Sequence, residues 1–154
     1  MDIFVLGHGG NLGVADHAAV DISRLSNGTK NAQAPGSGIV ATSLINDSSF
    51  DDWMVHWVRQ RTVSSTPEQL KKTMILGISS SGKSVDIIKA LEDGKSRGMQ
   101  VGIITSYPIP AKVESLPLEP AWFEAGPAAP PPPTVMVKFP GVNSNADPCN
   151  GLGP

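Results

Sequence analysis

A single cysteine, Cys149, leaves the chain no partner for an internal disulfide and too few thiols for a zinc knuckle, so a reducing compartment is expected. Positive charge is not in excess either. Lys and Arg number 12 against 14 Asp and Glu, a net charge of −2. That balance excludes nucleic-acid binding driven by phosphate electrostatics. No run approaches the ~18 apolar residues of a membrane span. The opening MDIFVLGHGG, with an acidic second residue and a short apolar run, does not read as a secretory leader. A cytoplasmic protein with no membrane partner is the expectation. Proline is scarce over most of the chain: of 14, only Pro35 and Pro67 precede residue 107. The rest crowd into 108–154, including Pro130–Pro133. Such a segment lacks backbone donors and favours extended polyproline conformation. The chain therefore divides into a compact part, 1–106, and a proline-rich tail, 107–154, with one strand-like run at 134–139. The proline run reads as a linker more readily than as a ligand for an SH3-like partner.

Within 1–106 short apolar runs alternate with helical spacings. Ile3–Leu6 reads as a buried strand that ends in Gly7-His8-Gly9-Gly10. Asn11 then caps a helix carrying Leu12, Ala15, Ala18, Ala19, Ile22 and Leu25. Residues 26–37 read as a loop, Ile39–Leu44 as a second strand, and Asn46–Ser49 as a turn. Phe50, Trp53, Met54, Trp57 and Val58 have amphipathic-helix spacing, so Trp53 and Trp57 are core candidates. Thr66-Pro67 opens a short helix. Met74–Ile78 is a third strand, Lys83–Arg97 a helix with Val85, Ile88 and Leu91 on its apolar face and Gly98 at its left-handed end, and Val101–Thr105 a fourth strand. The alternation predicts an α/β fold: a three-layer parallel sheet of four to five strands flanked by helices, flavodoxin-like in type.

Between the third strand and its helix lies GISSSGKS, residues 77–84, which satisfies the phosphate-loop pattern G-x-x-x-x-G-K-[ST]. A strand, a Gly/Ser loop and a helix N-terminus form an anion site. Four hydroxyls, on Ser79, Ser80, Ser81 and Ser84, suit a phosphate monoester; Lys83 adds charge or simply projects into solvent. A nucleotide triphosphatase would also need a following strand ending in Asp to hold magnesium, and VGIITS has none. A serine-rich turn without a ligand is the bland alternative. GHGGNLG, residues 7–13, loosely fits a dinucleotide fingerprint with Asp47 as ribose acid, a weaker match.

Taken together the two glycine turns resemble the sugar isomerase (SIS) domain, and within it the phosphoheptose isomerases. GHGGNLGVADHAAVDI, residues 7–22, is similar to the family's GNGGSAADAQHFAAEL, and GISSSGKS to its GISTSGNS. INDSSFDDW, residues 45–53, and SRGMQVGIITS, residues 96–106, match further. The resemblance covers about residues 2–106. It implies a sugar phosphate, such as a heptose phosphate, held by Gly9, Gly10, Asn11, Ser79, Ser80, Ser81, Lys83 and Ser84. It implies aldose–ketose isomerisation with Asp21 at the position of the catalytic glutamate. His17 matches a histidine that binds zinc in some members, so zinc on His17 and Asp21 is allowed though not required. His8 replaces an asparagine and could serve as a substitute acid. The bland reading of His17 and Asp21 is a local pair on one helix face. The family's C-terminal histidine helix and N-terminal oligomer-building helices have no counterpart here. The expectation is thus a retained sugar-phosphate pocket with an incomplete catalytic set, in a homo-oligomer (dimer or tetramer). A non-catalytic phosphosugar-binding module, a P-loop nucleotide binder, and a shortened relative with an unrelated tail remain the alternatives.

Overall fold

The computed structural model describes residues 1–36 and 38–106; the proline-rich segment, with the strand expected at 134–139, lies outside them. The order is β1 (Asp2–Gly7), α1 (Gly10–Leu25), β2 (Asn31–Gln33), α2 (Gly38–Asp47), α3 (Trp53–Arg61), α4 (Pro67–Lys71), β3 (Thr73–Ile78), α5 (Val85–Ser96) and β4 (Gln100–Ile104). The four strands form one sheet in the order β2-β1-β3-β4, every pair parallel. β1 runs in register with β3 from Asp2 opposite Thr73 to Gly7 opposite Ile78.

Period-two alternation in β1 feeds two cores. Ile3 and Val5 pack with Ala15 and Ala19 of α1 and with Met74 and Ile78. Phe4 and Leu6 point to the opposite face, against Trp53, Met54, Trp57 and Val58 of α3 and Ile87, Ala90 and Leu91 of α5. A strand buried on both faces must be apolar throughout, which is why Ile3–Leu6 has no polar residue. Trp53 and Trp57, expected in the core from their spacing, are both buried, and Phe4 meets the Trp57 ring edge-on at 5.5 Å. The start of α4 also matches: Thr66 Oγ1 accepts from the Gln69 amide, Gln69 Oε1 accepts from the Thr66 amide, and Pro67 fills the first turn.

Three expectations fail for physical reasons. Residues 39–44 are helical, not a strand. The core-facing Val40, Ala41, Leu44 and Ile45 recur at helical spacing, while Ile39 is 78% exposed. The second strand is instead Asn31–Gln33, inside the expected loop; it pairs with β1 through its backbone and an Asn31 Nδ2 hydrogen bond to Asp2 Oδ1 at 2.9 Å, and its short, mostly polar composition carries no strand signal. Asn11 does not cap α1. Gly9 takes that position, its carbonyl accepting from the Leu12 and Gly13 amides, and the Asn11 side chain turns elsewhere.

Candidate functional site

From β1 the chain passes through α1 to β2 on one side, then crosses back through α2, α3 and α4 to β3 on the other. The carboxyl ends of β1 and β3 therefore flank the switch point of the topology, where open parallel sheets leave a crevice for ligands. Both glycine-containing turns lie there. They are joined directly: Asn11 Nδ2 donates to Ser80 Oγ at 3.1 Å. The Ser79 amide donates to the Ile104 carbonyl at the end of β4, and the Ser106 amide to the Ser80 carbonyl, so the loop after β3 is fixed from both sides.

That loop is shaped for an anion. Gly82 has φ +66°, a left-handed turn that returns its amide to the Ser79 carbonyl at 3.0 Å. Ser79 is buried, and its Oγ lies 2.9 Å from Ser84 Oγ, so these two hydroxyls share a hydrogen bond. Ser84 is the N-cap of α5 but makes no side-chain cap bond. The first-turn amides of Val85, Asp86 and Ile87 consequently have no acceptor inside the helix. Ser80 accepts from Asn11 and Ser81 from the Lys83 amide, so both hydroxyl protons are left for a ligand. Ser80, Ser81 and Lys83 are exposed at the crevice. Open amides, two available hydroxyls and a helix dipole are the features that suit a phosphoryl group.

The neighbouring turn holds a cluster that sequence reasoning missed. Asp86, in the first turn of α5, is fully buried. His8 Nε2 lies 2.9 Å from its Oδ1 and 2.8 Å from its Oδ2, and Trp53 Nε1 donates to Oδ2 at 2.9 Å. The His8 ring stacks on Phe50, with centroids 5.5 Å apart and planes at 15°, and leans on Trp53. In sequence Asp86 falls among the charged residues of an amphipathic helix and reads as solvated. The signal that finds it is register. The buried stripe of α5 is Ile87, Ala90, Leu91 and Gly94, and Asp86 lies on it one turn before Ala90. Val85, expected in the core, is 48% exposed. A carboxylate on the buried stripe requires donors from elsewhere, and His8 and Trp53 supply them.

His17 and Asp21 stand further along α1. His17 Nε2 lies 3.2 Å from Asp21 Oδ2, and Arg24 Nη2 donates to Asp21 Oδ1 at 3.0 Å. The His17 side chain is 82% exposed. The Arg24 hydrogen bond, against an opposing effect of burial and with added attraction from His17, holds the Asp21 carboxyl below the ordinary aspartate value. Both residues line a groove on the outward face of α1 with Gly13, Val14 and Ala18. None of the serine-loop residues lines this groove. Zinc needs at least three protein ligands, and among the described residues no group of three His, Cys, Asp or Glu could hold a metal. With Arg24 on the same carboxylate, the His17–Asp21 pair by itself does not fit a zinc ion.

No described helix is long and apolar enough to cross a membrane. No family model matches the chain. Among solved structures, the phosphoheptose isomerase of Neisseria gonorrhoeae superposes with a TM-score of 0.60 and 25% identity, over 75% of this chain and 58% of that one. A phosphoheptose isomerase of Francisella tularensis matches at a TM-score of 0.48 and 24% identity, over 68% of this chain and 51% of that one. The chain thus spans little more than half the length of these neighbours. Its four-stranded parallel sheet and flanking helices have the SIS-type fold of a phosphoheptose isomerase.

Proposed function

We propose that the crevice between β1 and β3 binds a sugar phosphate, a heptose phosphate by preference, and that the chain is an aldose–ketose isomerase of the phosphoheptose type. The observation that carries this reading is the serine loop on the open N-terminus of α5, hydrogen-bonded through Ser80 to Asn11 of the facing turn. The phosphoryl group sits on the loop, and the sugar extends toward Gly9, Gly10 and α1. Isomerisation moves a proton between adjacent carbons and another between their oxygens. Asp21 and His8 are the groups assigned to these transfers, with His17 beside Asp21. No zinc is needed for them. Asp21 lies about 15 Å along the helix from Asn11, taking ~1.5 Å per residue, farther than a seven-carbon chain extends from a phosphate on the same chain's loop, so in this reading Asp21 serves the crevice of a neighbouring copy. The lowered carboxyl of Asp21 also makes it a weak base in the state described. That observation favours a second reading, a phosphosugar-binding module without turnover. A nucleotide reading lacks support at the same place. Asp86, the acid beside the loop, is buried and committed to His8 and Trp53 and does not present itself to magnesium. The isomerase reading carries self-association and a cytoplasmic location with it.

The test is calorimetric titration with sedoheptulose 7-phosphate. Ser81 offers one hydroxyl proton to a charged ligand, a bond of about 1.5–3 kcal/mol, so Ser81→Ala should weaken binding roughly tenfold to a hundredfold. Binding of ATP–magnesium without sugar phosphate would overturn the reading. Turnover by the binding-competent protein, lost in Asp21→Asn, separates the isomerase from the binding module.

A further inference from the structure

The pairing of Asp86 with His8 has a consequence for what the crevice recognises. A carboxylate offers only acceptors, and an indole nitrogen only a donor. Trp53 Nε1 occupies Oδ2 from the core side. The other described partner of this fully buried carboxylate is His8 Nε2, in contact with both oxygens. Nε2 therefore carries the hydrogen, and in the neutral ring Nδ1 carries the lone pair. The ring cannot exchange the two nitrogens without leaving Asp86 one donor short. Its stacking on Phe50 and contact with Trp53 hold the plane. The turn is fixed as well, since the His8 carbonyl accepts from the Asn11 and Leu12 amides at 2.8 and 3.2 Å. The side chain is nevertheless 32% exposed, at the edge of the crevice. A support for Trp53 alone would not need a second, partly exposed ring on the same carboxyl group.

Resting on the sugar-phosphate reading of this crevice, we infer that Asp86 is a positioning residue that locks His8 as the Nε2–H tautomer and presents His8 Nδ1 as acceptor for a hydroxyl of the bound sugar. A lone pair repels phosphate oxygens and accepts O–H, so this pair selects the sugar, whereas the serine loop selects the phosphoryl group. Asp86 and His8 together set specificity for a sugar phosphate over free phosphate.

The full chain, labelled with 15N-histidine, is titrated with sedoheptulose 7-phosphate and with inorganic phosphate, as wild type, Asp86→Asn and His8→Phe. Thermal unfolding confirms that each variant folds; Asp86→Asn keeps the size and an acceptor for Trp53, and His8→Phe keeps the stack on Phe50. The wild type should show the Nε2–H signature at His8, with Nδ1 shifting as sugar phosphate saturates. Both variants should lose about tenfold in sugar-phosphate affinity while inorganic phosphate changes by less than about twofold. Asp86→Asn should also lose the single-tautomer signature. Sugar-phosphate affinity within about twofold of wild type in a folded variant, or an Nδ1 resonance that stays still at saturation, would overturn the inference and leave the sugar-phosphate reading standing. A wild type that binds inorganic phosphate but no sugar phosphate would remove both, and that outcome is recognised without any variant.

Discussion

At Gly7 the end of β1 and the start of α1 approach so closely that a Cβ would lie 2.5 Å from the Asn11 carbonyl oxygen, a backbone atom that cannot turn aside. Both turns of the crevice depend on that approach, because His8 and Asn11 follow within four residues. Gly7→Ala should cost about 1–3 kcal/mol, as overpacking does elsewhere, and should weaken sugar-phosphate binding more than stability alone explains. Denaturant unfolding and calorimetry on the same variant check this; unchanged affinity in a destabilised protein would show that the turn tolerates the shift. At this scale the sequence is legible where chemistry repeats in a short motif. The serine loop is legible because hydroxyls, glycine and a helix start lie within eight residues. Asp86 is not, because its partners come from positions 8 and 53 and only the fold brings them together.

Among elements, the seam between α3 and α5 determines where Trp53 meets Asp86. Arg59 Nη2 and Nε reach the Asp93 carboxylate, and Lys89 Nζ donates to Asp52 Oδ1 at 2.9 Å, just before α3 begins. The Lys89 hydrogen bond, then that of Ser49, holds the Asp52 carboxyl below its ordinary 3.8. Lys89 is correspondingly raised above 10.5, first by the bond to Asp52. A carboxyl lowered by folding contributes stability above its unfolded value and loses it as pH falls through the folded one. A raised ammonium contributes below its unfolded value and loses it as pH rises through the folded one. Unfolding midpoints should therefore hold steady at neutral pH and fall below about pH 4. Asp52→Asn should flatten the acid limb, and a limb identical to wild type would mean the pair adds nothing. Exposed pairs of this kind are individually weak, so the change is expected in the shape of the profile more than in its height. The two misread elements lie on this side and at the sheet edge. Residues 39–44, apolar but for Thr42 and Ser43, form a stretch too short for length to separate helix from strand. β2 is short and polar, recognisable only by its register with Asp2, Ile3 and Phe4.

For the whole molecule, the question is whether the described core is self-sufficient. Among the described residues, both core clusters are built from the stretch between Ile3 and Ile104. β4 pairs with β3 along one edge, and among the described residues its other edge has no strand beside it. A fifth strand from 134–139 would add at an edge of the sheet, beside β4 or beside β2. It would lengthen the sheet, and from either edge the crevice lies two strands away, between β1 and β3. A chain ending at Ser106 should therefore unfold cooperatively and keep its sugar-phosphate site. Ligand linkage reads both properties in one experiment: at a hundredfold excess over Kd a ligand adds about 2.7 kcal/mol to the stability of the state that binds it. Thermal unfolding of the shortened and full chains, each with and without sedoheptulose 7-phosphate, should give cooperative transitions and equal upward shifts. A broad, ligand-insensitive transition in the shortened chain would show that 107–154 is part of the folded unit.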